Sequence, residues 1–141
     1  MRKCLISIAV ILLFLILVSC ASSSDNQSFP YGYCQIRGWG GSNELVFQGT
    51  LYIDQSDSIT FDGNWNIWRT RDYKSGGFQF GSGYLTGYIE NNKMYVNLSP
   101  DIPNLDFELN GIVYNNEIRG DWIWEDRARV GMSGTFILNK N

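Results

Sequence analysis

From position 31 onward, apolar and polar residues alternate one by one, and no stretch repeats at the spacing of a helix. Ile118, Gly120, Trp122 and Trp124 share one parity, while Glu117, Arg119, Asp121 and Glu125 take the other. Such alternation belongs to strands with one buried face and one wet face. It predicts eight strands, over 33–39, 45–53, 59–67, 85–89, 94–98, 107–113, 118–124 and 130–138. Phe78 and Phe80 have the opposite parity to Leu85 and Ile89, so a bulge at Gly81-Ser82-Gly83 is expected to switch faces.

The links between these strands are short. Asn91-Asn92 and Asn115-Asn116 read as two-residue turns of type I′, since asparagine tolerates positive φ. Loops of a few residues fall at 54–58, 100–104 and 126–128, and 69–76 is the longest. Short links make successive strands antiparallel neighbours, and none is long enough for a Greek-key crossing. An open meander would expose two edges. The expected fold class is therefore all-β, an eight-stranded antiparallel up-and-down meander closing into a small barrel.

Six segments share the form apolar-x-Gly-x-apolar, centred on Gly49, Gly63, Gly87, Gly111, Gly120 and Gly134. The Asn115-Asn116 turn sets Val113 opposite Ile118, Gly111 opposite Gly120 and Leu109 opposite Trp122. Matching parity across the neighbouring turns pairs Trp122 with Met132, Gly120 with Gly134 and Gly49 with Gly63. Glycines are thus expected to stack on the inner face, where their missing side chains permit tight coiling.

The front of the chain follows another pattern. Met1, Arg2 and Lys3 precede the fourteen residues 5–18, interrupted by Ser7 alone. That run is shorter than the roughly 20 residues of a membrane span and fits a signal-peptide core. Leu17-Val18-Ser19-Cys20, followed by the polar residues 22–28, resembles the lipobox of bacterial lipoproteins. The resemblance implies cleavage before Cys20, diacylation of Cys20 and stable attachment to a membrane by two acyl chains. It divides the chain into a signal peptide (1–19), an acylated tether (20–30) and a barrel domain (31–141). The implied location is the bacterial cell envelope. If the host is Gram-negative, Ala21 after the cysteine resembles the pattern of proteins sorted to the outer membrane.

Loss of Arg2 and Lys3 changes the net charge from −3 to −5, with nine basic against fourteen acidic residues. An acidic chain of this kind is not expected to bind nucleic acid. Histidine is absent, which removes the usual triads and imidazole metal sites. With Cys4 in the signal peptide and Cys20 used by lipid, Cys34 has no partner for an internal disulfide. It reads as a buried thiol, or as a reactive one if Arg37 stands beside it.

The strand count, the meander and the Gly-x-aromatic strands over 31–139 resemble the small calycin-like barrels, the group of lipocalins and avidins. The chain has no avidin-type biotin constellation. Gly63-Asn64-Trp65 lies in the third strand rather than at a lipocalin's opening position. The resemblance therefore carries no ligand residues over.

Leu45, Phe47, Leu51, Phe61, Trp65, Phe107, Leu109, Trp122, Trp124, Met132 and Phe136 are expected to face inward. Two readings follow. Either Trp65, Trp122, Trp124, Phe61, Phe107 and Phe136 line a pocket for an apolar small molecule, or these rings fill the barrel as its core. Outside, Ile112, Tyr114, Ile123 and Ile137 adjoin on the last three strands and suit a protein partner. Ser82-Gly83-Tyr84 resembles part of a motif in small envelope barrels that inhibit lysozyme, although their disulfide is missing here. Arg69, Arg71 and Lys74, with Trp68 and Tyr73, make a basic loop that is either solvated or touches headgroups or an acidic partner. Asp54, Ser56 and Asp57 lack the glycine and distal glutamate of a calcium loop.

Acidic side chains fall on the outward parity or in turns, and no nucleophile elbow, phosphate loop or metal-ligand spacing is present. No catalysis, metal or cofactor is expected. The expected role is non-catalytic binding of an apolar small molecule inside a membrane-anchored barrel. The alternative is a protein-binding or inhibitor domain that acts through its outer surface on an envelope protein, with a filled core.

Overall fold

The structure, a computed structural model, describes residues 29, 31–57, 59–70, 80–127 and 129–141. The lipobox with Cys20, and the loop residues Arg71, Tyr73, Lys74 and Phe78, lie outside the described residues. The chain forms eight antiparallel strands: β1 (Gly32–Gly40), β2 (Leu45–Gln55), β3 (Thr60–Arg69), β4 (Gly81–Glu90), β5 (Lys93–Asn97), β6 (Leu105–Tyr114), β7 (Glu117–Asp126) and β8 (Arg129–Lys140). Each pairs with its neighbour in sequence, and β8 pairs back to β1 from Cys34↔Lys140 to Gly40↔Gly134. The barrel is closed, which leaves no edge strand.

The hairpin turns explain part of the register. Asn91 and Asn92 both take positive φ, as type I′ requires. In the second turn Asn115 takes positive φ and Asn116 does not. Both turns span two residues, and β6–β7 pairs Val113 with Ile118, Gly111 with Gly120 and Leu109 with Trp122, as the turn predicts.

Two other expected registers are wrong. Trp122 lies opposite Gly134 and Gly120 opposite Phe136, two residues from the expected pairing, with a register shift between Trp124 and Asp126. Gly49 lies opposite Ile67 rather than Gly63, because β2 and β3 pair as far as Gln55↔Phe61. The expected bulge at Gly81-Ser82-Gly83 is also absent, since β3 and β4 pair without a shift from Thr60↔Tyr88 to Ile67↔Gly81. Gly81 supplies the change instead, with φ of +130°, and Phe80 reaches the core from just before the strand. A shift between Gly38 and Trp39 leaves Leu45 half-buried while Val46 and Phe47 are buried.

These registers change what the inner glycines do. Gly111 faces Gly120 and Gly40 faces Gly134, while in four other pairs a glycine faces an aromatic residue: Gly38 and Phe47, Gly83 and Trp65, Gly87 and Phe61, Gly134 and Trp122. A Cβ at Gly83 would stand 2.8 Å from the Trp65 ring. Rings thus lie flat over neighbouring glycines, which lets a small barrel coil tightly and still fill its wall.

Candidate functional site

The expected pocket residues are buried together. Phe61, Trp65, Phe107, Trp122, Trp124 and Phe136 are all at most 2% exposed. Phe47 stands between two of them, edge-on to Trp122 with ring centroids 5.5 Å apart and to Phe107 at 5.9 Å. Trp65 meets Phe107 at 6.3 Å, also edge-on. These distances are those of packed aromatic pairs. The indole N–H of Trp65 donates to the Leu98 carbonyl at 2.7 Å, and that of Trp122 donates to the Trp39 carbonyl at 3.0 Å. Each ring is therefore held by its N–H and by an edge contact with a neighbouring phenylalanine. Phe29 stacks on Phe61 at 5.2 Å and joins the core at the end of the barrel where β1 begins.

Cys34 belongs to the same interior. It is fully buried, and burial pushes its thiol up to about 11, against a smaller opposing pull from Lys140. At neutral pH the thiol stays protonated and is a poor nucleophile. Polar groups at the β5–β6 link are satisfied too. Ser99 Oγ accepts from the Phe107 amide and donates to the Leu105 carbonyl.

Outside, Ile112, Tyr114 and Ile123 are exposed and Ile137 is half-buried. Register brings Ile112 and Ile137 to either side of Arg119, whereas Ile123 pairs with Glu108 and Ser133 and stands apart from them. Ile112 pairs with Arg119, Arg119 with Ile137, and Ile137 with Arg37, so apolar and cationic side chains alternate around the wall. A concavity of about 800 Å³ opens here, lined by Trp39, Tyr114, Glu117, Arg119, Asp121 and Ile137 among others. Arg119 forms an ion pair with Glu117, which holds its guanidinium above the ordinary range. A smaller hollow of about 250 Å³ lies on the far side of Arg119 and Asp121, reaching Lys93 and Ile112. Both hollows include Gly120, which pairs with Gly111.

The sequence singled out Tyr114 and Ile137 but missed Trp39, Arg119 and Asp121. Barrel closure brings Trp39 beside Thr135. The outward parity of Arg119 and Asp121 was the available signal. In the basic loop, Arg69 lies 5.7 Å above the Phe80 ring and Trp68 is 45% exposed. Asp57 caps its turn by accepting from the amides of Ile59 and Thr60 at 2.8 and 2.7 Å, which hold its carboxyl below the usual range.

Geometry defines the class: an all-β, closed, eight-stranded antiparallel barrel, consistent with the calycin-like architecture. No protein-family model, curated protein or solved structure matches the chain.

Proposed function

We propose that this is an envelope lipoprotein, anchored by lipid at Cys20, whose barrel is a non-catalytic domain binding an envelope protein through its outer surface. The contact region is the arginine groove, the concavity on β7 and β8 with its Tyr114 and Trp39 walls. One observation carries the choice between an outer site and an inner one. Three of the rings that would line an inner pocket, Trp65, Phe107 and Trp122, form one chain of edge contacts through Phe47, and all six are buried. An apolar ligand would first have to displace them, and packed interiors resist such displacement. The arginine groove sets the apolar side chains of Trp39, Tyr114 and Ile137 beside polar and charged ones, the mixed composition of a protein contact.

Site-specific photocrosslinking tests this in cells. A crosslinker replacing Ile137 is expected to give a discrete protein adduct, and the same group at Asn64, on β3, is not. Ile137→Asp should abolish co-purification of that adduct's protein, and its melting temperature should match the parent's. Native mass spectrometry supplies the opposing outcome. A small-molecule adduct that dissociates on denaturation, with no protein adduct at Ile137, would overturn the proposal in favour of an inner ligand.

A further inference from the structure

Four strands around the barrel from β8, the outer face of β4 and its neighbours carries a different chemistry. A concavity of about 340 Å³ lies there. Setting aside the buried Phe61 and the backbone of Gly87, every side chain lining it ends in a hydroxyl or a carboxylate: Ser56, Thr60, Asp62, Tyr84, Thr86, Tyr88 and Tyr95. Among the described residues, neither lysine nor arginine lines it. Tyr84 and Tyr88 are 43% and 45% exposed, so their rings are available to solvent.

Register gives the face its layout. Thr60 pairs with Tyr88 and Tyr88 with Tyr95 in one row; Asp62 pairs with Thr86 and Thr86 with Asn97 in the next. Asn64 pairs with Tyr84 in the third. Four residues of one strand separate Tyr84 from Tyr88, roughly 13 Å at the usual rise, with Thr86 between them. Two aromatic walls thus flank a floor of hydroxyl and carboxylate groups.

Several of these groups are already fixed. Tyr88 and Tyr95 stack with centroids 5.2 Å apart and planes 27° apart. The Tyr95 hydroxyl donates to Glu108 at 2.7 Å, and Ser56 Oγ donates to Asp62 at 2.6 Å. Burial and Glu108 push the Tyr95 phenol well above its ordinary value, so it keeps its proton throughout the physiological range.

We infer that this tyrosine groove binds a neutral saccharide chain. A sugar ring has C–H faces that stack on an aromatic ring and an edge of hydroxyls. Tyrosine, serine and threonine hydroxyls both donate and accept, so they match that edge in either direction. Phosphate, sulfate and uronate groups meet no cation among the described lining residues, and Asp62 repels them. A protein loop is the poorer fit, because the groove presents no aliphatic side chain. Fixed rings and a fixed carboxylate lower the ordering cost of binding. The inference does not depend on the arginine groove, which lies on other strands.

The test uses the full chain held in detergent, with amide chemical shifts followed by NMR. The probes are cellotetraose, maltotetraose and chitotetraose, with a heparin tetrasaccharide as the anionic control and an unstructured peptide mixture as the protein-like control. At least one neutral tetrasaccharide should shift the amides of Thr60, Thr86 and Tyr88. Tyr84→Ala and Tyr88→Ala should each weaken it tenfold or more, while Tyr88→Phe, which keeps the ring face, should lose less. Ile137→Asp should leave it unchanged, which separates this inference from the proposed protein contact. Silence from all three neutral probes, equal binding of the anionic probe, or a response to peptides alone would overturn it.

Discussion

Beneath the arginine groove, Gly120 faces Gly111, and a Cβ at Gly120 would overlap the Asn110 carbonyl oxygen. Beneath the tyrosine groove, Gly83 faces the Trp65 ring instead, and Gly87 meets both the Phe61 ring and the Tyr95 carbonyl. In the first place backbone closes on backbone, so the depth of the groove follows from how the strands coil. In the second, at Gly83, a ring fills the space under the wall, and the groove's character comes from what stands on the outside. A site of the first kind is a property of the fold. A site of the second kind depends on a few replaceable side chains, which makes it easier to retune and easier to lose.

The sharpest way to break this comparison is to add one methyl group. Gly120→Ala places a Cβ against backbone atoms of β6, which cannot move without disturbing the ladder. The expected loss is about 3 kcal/mol of stability, at the upper end for overpacking, read as a lower urea midpoint. Gly40→Ala is the control. Its Cβ would meet the far end of the flexible Glu44 side chain, so a change of about 0.5 kcal/mol or less is expected. Equal losses in the two variants would show that closure on backbone at Gly120 is no tighter than contact with the end of a flexible side chain.

Legibility followed the same division. Strand number, meander and closure were readable because alternation and short turns leave one arrangement without edges. The β6–β7 register was readable because a two-residue turn leaves no slack. Across longer links parity was the sole guide, and parity has a blind spot: sliding a strand by two or four residues keeps every side chain on its face. That is how Gly134 was set opposite Gly120 when it faces Trp122, and Gly63 opposite Gly49 when it faces Ile53. Faces came out right and partners wrong. For the sites, Tyr114 and Ile137 were visible as outward apolar residues. The tyrosine groove was not, because its rows run across strands and exist only once the register is known. The one trace along the chain was Tyr84, Thr86 and Tyr88 at period two.

A gentler change sharpens the contrast from the other side. Gly83→Ala puts a Cβ 2.8 Å from the Trp65 ring. The ring must then shift a few tenths of an ångström, loosening the bonds from its N–H to the carbonyls of Leu98 and Tyr84. The expected loss is about 1–2 kcal/mol, smaller than at Gly120. Tryptophan emission should shift to the red as Trp65 loosens. An unchanged emission spectrum would mean that the ring does not hold this part of the wall.

Acid provides the smallest and most local test. Asp57 anchors the β2–β3 link by accepting from the Ile59 and Thr60 amides, and Thr60 and Ser56 stand on the rim of the tyrosine groove. Those bonds require the ionised carboxylate, which is why its folded pKa is lowered. A lowered value means that the unfolded chain takes up the proton first. The contribution to stability is therefore complete above the ordinary aspartate pKa of about 3.9, and it fades as pH falls through the lower, folded value. The amide shifts of Ile59 and Thr60 should titrate together with a midpoint below that ordinary value, and Asp57→Asn should remove the transition. The two-residue link beside the arginine groove, Asn115-Asn116, has no ionisable side chain of its own. Glu117, which closes that link opposite Tyr114, is paired with Arg119, so the Asp57→Asn variant, in which this pair is intact, isolates the acid response of the tyrosine groove's rim from that of the arginine groove.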